Sequence, residues 1–232
     1  MNIKKPLTYG MAALLLSLAV TAGCATVGGK LSDAGISDSA FAACVHNAGH
    51  DRVEDVTRLR CDNYGIEDIS GIGRLYNLSE LRLSGNYIAD IAPIASLKNL
   101  RVLNLDFSPV SDLSPLSSLT SLESLSVMEG FVKDLTPLAS LTRLTSLDLA
   151  DNLVIDVTPL SSLNALVTLD LRGNHVKKGV AKLASLKNAK RIVLTRNINV
   201  PYDDLGALIK ELGTDTVEWE RDSANPWAGL TD

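Results

Sequence analysis

The residues of this chain whose types could do chemistry are three histidines, three cysteines and a column of aspartates. His46 and His50 are four apart, with Asp51 adjacent. On a helix that spacing would set two imidazoles on one face and could hold a metal ion. Asn47-Ala48-Gly49 lies between them and reads as a helix end, which spoils the face; a solvated helix terminus is the plainer reading. Asp68, Asp90, Asp112, Asp134 and Asp156 recur at a constant step of 22 residues. Stacked with that period, their carboxylates would stand about 5 Å apart and repel. A ladder of calcium ions would relieve the repulsion. The alternative is structural. In Asp90-Ile91-Ala92-Pro93 and its counterparts, the carboxylate can accept from the free N–H groups of the turn that follows. The structural use is favoured, so no metal is predicted. A nucleotide-binding glycine loop, Gly-x-Ser-x-Gly, Cys-x-x-Cys and His-Glu-x-x-His are all missing from the sequence. Neither catalysis nor a cofactor is expected.

The elements that carry these residues follow from a repeat. Leu78, Leu100, Leu122, Leu144 and Leu166 are spaced 22 residues apart without a slip. So are Leu81, Leu103, Leu125, Leu147 and Leu169, and likewise Leu83, Leu105, Val127, Leu149 and Leu171. Projected backward, the first unit begins near Val56; after Val176 the phase slips by one residue and Ile192, Leu194 and Asn197 resume it. Within a unit the apolar steps are two and three, never steadily 3.6. Leu-x-Leu is strand spacing, with both side chains on one face. The later steps of three suit 3₁₀-like turns. One strand per unit is too few for hairpins, so the strands must stack in parallel and share one core. About seven coils are predicted over residues 56–199.

The pattern Leu-x-x-Leu-x-Leu-x-x-Asn-x-Ile-x-x-Ile-x-Pro-Leu, nearly complete from Leu78 to Ile94, resembles the leucine-rich-repeat family and most closely its internalin-like class of 22-residue units. The resemblance implies an α/β solenoid: a right-handed horseshoe with a parallel β-sheet on the concave face, 3₁₀ or irregular convex turns and a helical N-terminal cap. Asn86, Asn152, Asn174 and Asn197 form a column whose amides can satisfy backbone groups of their own and the neighbouring coil. Ser108 and Gly130 interrupt it, so coils three and four are expected to be less regular. An open solenoid needs caps. Asp38 precedes a segment in which Phe41, Cys44 and Val45 share a helical face, and residues 36–55 are assigned to the N-terminal cap. Tyr202 to Leu212 reads as an amphipathic helix and residues 217–219 as a last strand. They sit within a C-terminal cap, residues 200–232, in which Trp219 and Trp227 shield the last coil.

Lys4 and Lys5, followed by an apolar run to Ala22, fit a signal peptide over residues 1–23. Thr21-Ala22-Gly23-Cys24 resembles the bacterial lipobox, although Thr21 stands where Leu is usual. The resemblance implies that Cys24 is lipidated and starts the mature chain; a plain signal peptide is the alternative. Ala25, as in Gram-negative lipoproteins, would then favour the outer membrane. Residues 24–35 read as a tether between lipid and cap. With Cys24 lipidated in an oxidising compartment, Cys44 and Cys61 remain. A cap packed on the first coil would bring them together as a disulfide, the alternative being two buried free thiols.

The chain has 232 residues, 46% of them hydrophobic, and a net charge of −5, which argues against nucleic acid as a partner. The outward row of the strands is the candidate binding surface. It offers Arg60 and Arg82 early, Asn104, Asp106, Phe107, Met128 and Glu129 in the middle, and Asp148 and Asp170 late. Phe107 and Met128 are apolar choices where neighbouring coils place Gly85, Asp151, Ser84 and Ala150. Apolar residues inside a polar rim suit protein recognition; the alternative is local repacking around Gly130. The expectation is a monomeric, non-catalytic, protein-binding lipoprotein. The alternative is an envelope structural or surface-adhesion protein with a glycan or host-surface ligand, which the near-solitary Phe107 disfavours.

Overall fold

The computed structural model describes residues 29–219. The signal peptide, Cys24 and Trp227 lie outside the described residues. Eight parallel strands form one sheet in strict chain order: β1 (Arg58–Arg60), β2 (Glu80–Arg82), β3 (Val102–Asn104), β4 (Ser124–Ser126), β5 (Ser146–Asp148), β6 (Thr168–Asp170), β7 (Arg191–Val193) and β8 (Val217–Glu218). Leu59, Leu81, Leu103, Leu125, Leu147, Leu169 and Ile192 face each other in register and are all buried. In β1 to β6 the flanking strand residues stay wholly or partly exposed, because side chains alternate across a strand; in β7 Val193 is buried.

The coils return through 3₁₀ turns, and in four of them, Ala92–Ser96, Ser114–Ser118, Thr136–Ser140 and Thr158–Ser162, proline stands in the first positions. Proline suits that place: its fixed φ fits the turn and its missing N–H would lack a partner there. The leucines and isoleucines of strands and turns form one continuous core from the cap helix to the last strand. One added residue separates β6 from β7, since Thr168 pairs with Arg191. The chain takes it up at Gly179, where φ is +84° and a Cβ would lie 2.5 Å from the Thr158 nitrogen.

Helix α1 (Ser39–Asn47) caps the first coil. Asp38 accepts from the Phe41 N–H at 2.8 Å, and Phe41, Cys44 and Val45 are buried. The second Asp38 oxygen accepts from Glu67 and Asp68 N–H at 2.9 and 3.1 Å, joining cap to coil. Burial raises the Asp38 pKa, but these N–H donors outweigh it and hold the carboxyl below its ordinary value. A disulfide links Cys44 to Cys61, with Cα atoms 5.6 Å apart. The described part of the expected tether is packed rather than free. Leu31 and Ala34 are buried, Leu31 N–H donates to the Asp51 carbonyl at 2.9 Å, and Arg74 holds the Asp33 carbonyl at 2.8 Å. At the other end α2 (Tyr202–Leu212) buries Leu205, Leu208 and Ile209, while Trp219 packs partly against the core.

Candidate protein-binding surface

The outward row of the sheet begins cationic. Glu80, itself largely buried, accepts from Arg60 at 3.0 Å and Arg82 at 2.7 Å, with Arg58 at 3.8 Å. The Arg82 hydrogen bond outweighs burial, and with Arg60 it holds the Glu80 carboxyl below its ordinary value. The three guanidinium groups remain substantially exposed around that one carboxylate. Strands β5 and β6 carry acids, and β7 adds Arg191, which pairs with Glu218 of β8. Asp148 and Asp170 are direct register partners on β5 and β6. Burial raises the Asp148 pKa; the Ala150 N–H opposes this, and the charges of Asp170 and Asp106 reinforce it. Asp170 accepts from Arg172 N–H at 2.9 Å and faces its guanidinium at 3.6 Å.

The middle carries the apolar residues, and one expected member is used differently. Asp106 is only 7% exposed. It accepts from Ser126 Oγ at 2.5 Å, Met128 N–H at 2.8 Å and Asn104 Nδ2 at 2.6 Å. It is therefore a strut between two coils, not an open carboxylate, and it also occupies Asn104. Asp62 does the same for the Ser84 N–H at 2.9 Å. The strand ends two residues earlier, so this position turns along the sheet edge toward the next coil's backbone.

Beyond it lies a column in the left-handed backbone region. Asn63, Gly85, Phe107, Glu129, Asp151, Gly173 and Arg196 all have φ between 54° and 70°. Gly, Asn and Asp tolerate that conformation; Phe and Glu do so at a cost. Phe107 is 48% exposed there, Glu129 is exposed, and Met128 beside it is partly buried. Arg196 pairs with Asp151 at 2.9 Å.

The asparagine column works as expected where it is present. Asn86 donates to the Cys61 and Leu83 carbonyls at 2.8 and 2.7 Å and accepts from Ile66 N–H at 3.0 Å. Asn152, Asn174 and Asn197 repeat the bonds. Ser108 is no substitute: its buried hydroxyl makes no hydrogen bond. At Gly130 the amide is missing, and Val110 N–H turns back to the Ser108 carbonyl at 2.7 Å. The irregularity is confined to these bonds, since strand register and 3₁₀ turns pass through coils three and four unchanged.

The aspartate ladder caps its turns. Asp68, Asp90, Asp112, Asp134 and Asp156 each accept from the N–H two residues on at 2.7 to 2.8 Å. Hydrogen bonds from Ser70, Ser114, Thr136 and Thr158 hold Asp68, Asp112, Asp134 and Asp156 below the ordinary carboxylate value. His46 and His50 line one shallow cleft with Lys30, Ile36 and Asp51, but α1 ends at Asn47 and His50 falls beyond it. Among the described residues no group of three or more His, Cys, Asp or Glu could hold a metal ion.

A second exposed apolar set was not anticipated as a surface. Tyr87, Phe131 and Ile198 stand one residue past the asparagine column, on the sheet's flank, and Ile155 lies nearby. Tyr87 and Phe131 share a 22-residue register with Pro109 and Leu153 that is visible in the sequence, but a strand-centred reading passes over it.

Comparison with known proteins agrees with this geometry. A family profile described as Leucine Rich repeats (2 copies) matches residues 76–118. Among solved structures, internalin C2 of Listeria monocytogenes superposes with a TM-score of 0.62 at 27% identity, over 79% of this chain and 93% of that one. A second Listeria monocytogenes internalin, inlF, gives 0.62 at 24% identity, over 88% of this chain and 70% of that one. A leucine-rich-repeat protein of Leptospira interrogans gives 0.59 at 29% identity, over 67% of this chain and only 41% of that one. Comparison with functionally curated proteins gave no match. Stacked parallel strands, 3₁₀ returns and buried asparagines make this fold a leucine-rich-repeat solenoid, structurally similar to those of the Listeria internalins.

Proposed function

We propose that this chain is a non-catalytic module of the bacterial envelope, lipid-anchored through Cys24 in the outer membrane, that binds a protein through the outward row of its sheet. One observation carries the reading. Phe107 holds a left-handed backbone, φ +56°, at the place where Gly85 and Gly173 sit in other coils. That conformation costs a bulky residue about 1–2 kcal/mol. The ring remains half in water, so folding recovers little from burying it. Contact with a partner gives the strained, exposed ring a use. Met128 and Glu129 extend the patch, and the arginines around Glu80 at one end and Asp148 and Asp170 at the other give the partner a direction. Binding here is shape and charge complementarity, with no bond made or broken.

The test is crosslinking in the native cell with wild type and the double variant Phe107→Gly/Met128→Ala. The variant is expected to lose at least tenfold of the captured partner while its circular dichroism shows the fold retained. Undiminished capture would place the site elsewhere. In the same cells Cys24→Ser should move the protein from the membrane to the soluble fraction; retention on the membrane would refute the lipid anchor.

A further inference from the structure

We propose that the flank of the solenoid just past the asparagine column is a second docking surface, fitted to a cationic polypeptide segment studded with apolar side chains. Tyr87 is 67% exposed, Phe131 55% and Ile198 86%. With Pro109, Leu153 and His175 they hold the same place in successive coils, so the apolar run is unbroken from Tyr87 to Leu153 and His175 separates it from Ile198. Backbone bonds fix that place: Tyr87 N–H to the Ile66 carbonyl at 2.8 Å, Phe131 to Val110 at 2.8 Å, Leu153 to Val132 at 2.9 Å. Successive members therefore stand about 5 Å apart, one coil spacing. Ile155, also exposed, widens the row.

The opposite flank of the same coils shows that this is not a general property of the repeat. There the residues entering the strands are Ser79, Arg101, Glu123 and Thr145. Ser79 and Thr145 bond back to the previous coil, and Arg101 pairs with Glu123 at 2.6 Å. Large apolar side chains in a row on one flank only, in water, mark a contact surface.

Charge selects the occupant. Three residues beyond Tyr87, Pro109, Phe131 and Leu153 lie Asp90, Asp112, Asp134 and Asp156. Against them stand Lys133 and, past Leu153, Lys177 and Lys178, so the acidic stretch that fits a cationic segment runs from Tyr87 to Leu153. Each ladder aspartate uses an oxygen to cap its turn but keeps its charge at the surface. Aromatic rings between carboxylates suit Lys and Arg, whose stems lie on the rings while the charged ends reach the acids. A second copy of this flank would instead set carboxylates against carboxylates. The proposal is independent of the Phe107 site.

A fluorescein-labelled synthetic peptide, Lys-Leu-Lys-Val-Lys-Leu-Lys-Val, read by anisotropy against its Glu-for-Lys analogue, tests it. The lysine peptide should bind and the glutamate peptide should not. Tyr87→Ser/Phe131→Ser should weaken binding at least tenfold, with circular dichroism unchanged. Phe107→Gly/Met128→Ala should leave this affinity as it was, which separates the two surfaces. Equal affinity in wild type and Tyr87→Ser/Phe131→Ser overturns the proposal. So does a wild-type dimer in sedimentation that this double variant dissociates, since the occupant would then be a second copy.

Discussion

The second and sixth coils turn on a glycine, Gly85 and Gly173, and each is sewn to the coil before it by an asparagine, Asn86 and Asn174. The third and fourth have neither: Phe107-Ser108 and Glu129-Gly130 stand in those places. Their strands and 3₁₀ turns are nevertheless in the same register. The comparison separates two jobs that the repeat motif combines. Leucine stacking sets the geometry of every coil, because it is present in every coil. The asparagine bonds add local stability, and the middle coils do without them. The left-handed place is free to carry any residue the chain can strain into it, and there it holds the exposed ring and carboxylate of the candidate site.

The largest expected difference is at the asparagines. Asn174→Ala would leave the Val154 N–H buried without its bond and the Leu149 carbonyl with only its longer bond from Asn152. A loss of about 3 kcal/mol in urea unfolding is expected. Ser108→Ala, at the equivalent place, removes a buried hydroxyl that has no partner and should change stability by less than about 0.5 kcal/mol. Equal losses would erase the distinction between the two stretches.

The next test exchanges the turn residues. Phe107→Gly relieves the left-handed cost but loosens the unfolded chain, for a net gain of about 0.5 kcal/mol. Gly85→Ala should lose about 1 kcal/mol, since it places a Cβ on a backbone with φ +70°. Thermal melts of the two variants should therefore shift in opposite directions.

The smallest effect is in pH. The lowered ladder carboxyls stabilise the fold fully above the ordinary value of 3.8, and that contribution is lost as pH falls below it. The ladder runs through regular and middle coils alike, so acid should weaken both without changing their difference. Asp148 has the opposite sign. Its raised pKa makes its charge a small burden at neutral pH, relieved as pH falls through its folded value. Asp148→Asn should raise stability at pH 7 by a few tenths of a kcal/mol, since the group is only partly shielded from water, and the gain should shrink toward acid pH.

The fold was legible because its determinants are periodic. The leucine columns, the asparagines, the Asp38 cap and the extent of α2 all follow from spacing that few other folds share. The site was only partly legible. Asp106 read as an outward carboxylate, because the strand alternation was carried two residues past the strand's end. The chain has turned by then, and Ser126 and the Met128 N–H take its oxygens. The Tyr87–Phe131 row was overlooked for a related reason. Alternation tells which side of a strand a residue faces, but the flank of a coil has no such two-sided rule. Exposure there depends on how the next coil stacks.

The covalent crosslink between cap and first coil has a directional consequence. Units that touch only their neighbours come apart from an end inward. The Cys44–Cys61 bond clamps one terminus, so unravelling in oxidising surroundings should start at β8 and travel back toward α1. A thiol reductant would release the clamped terminus and let the array open from both sides.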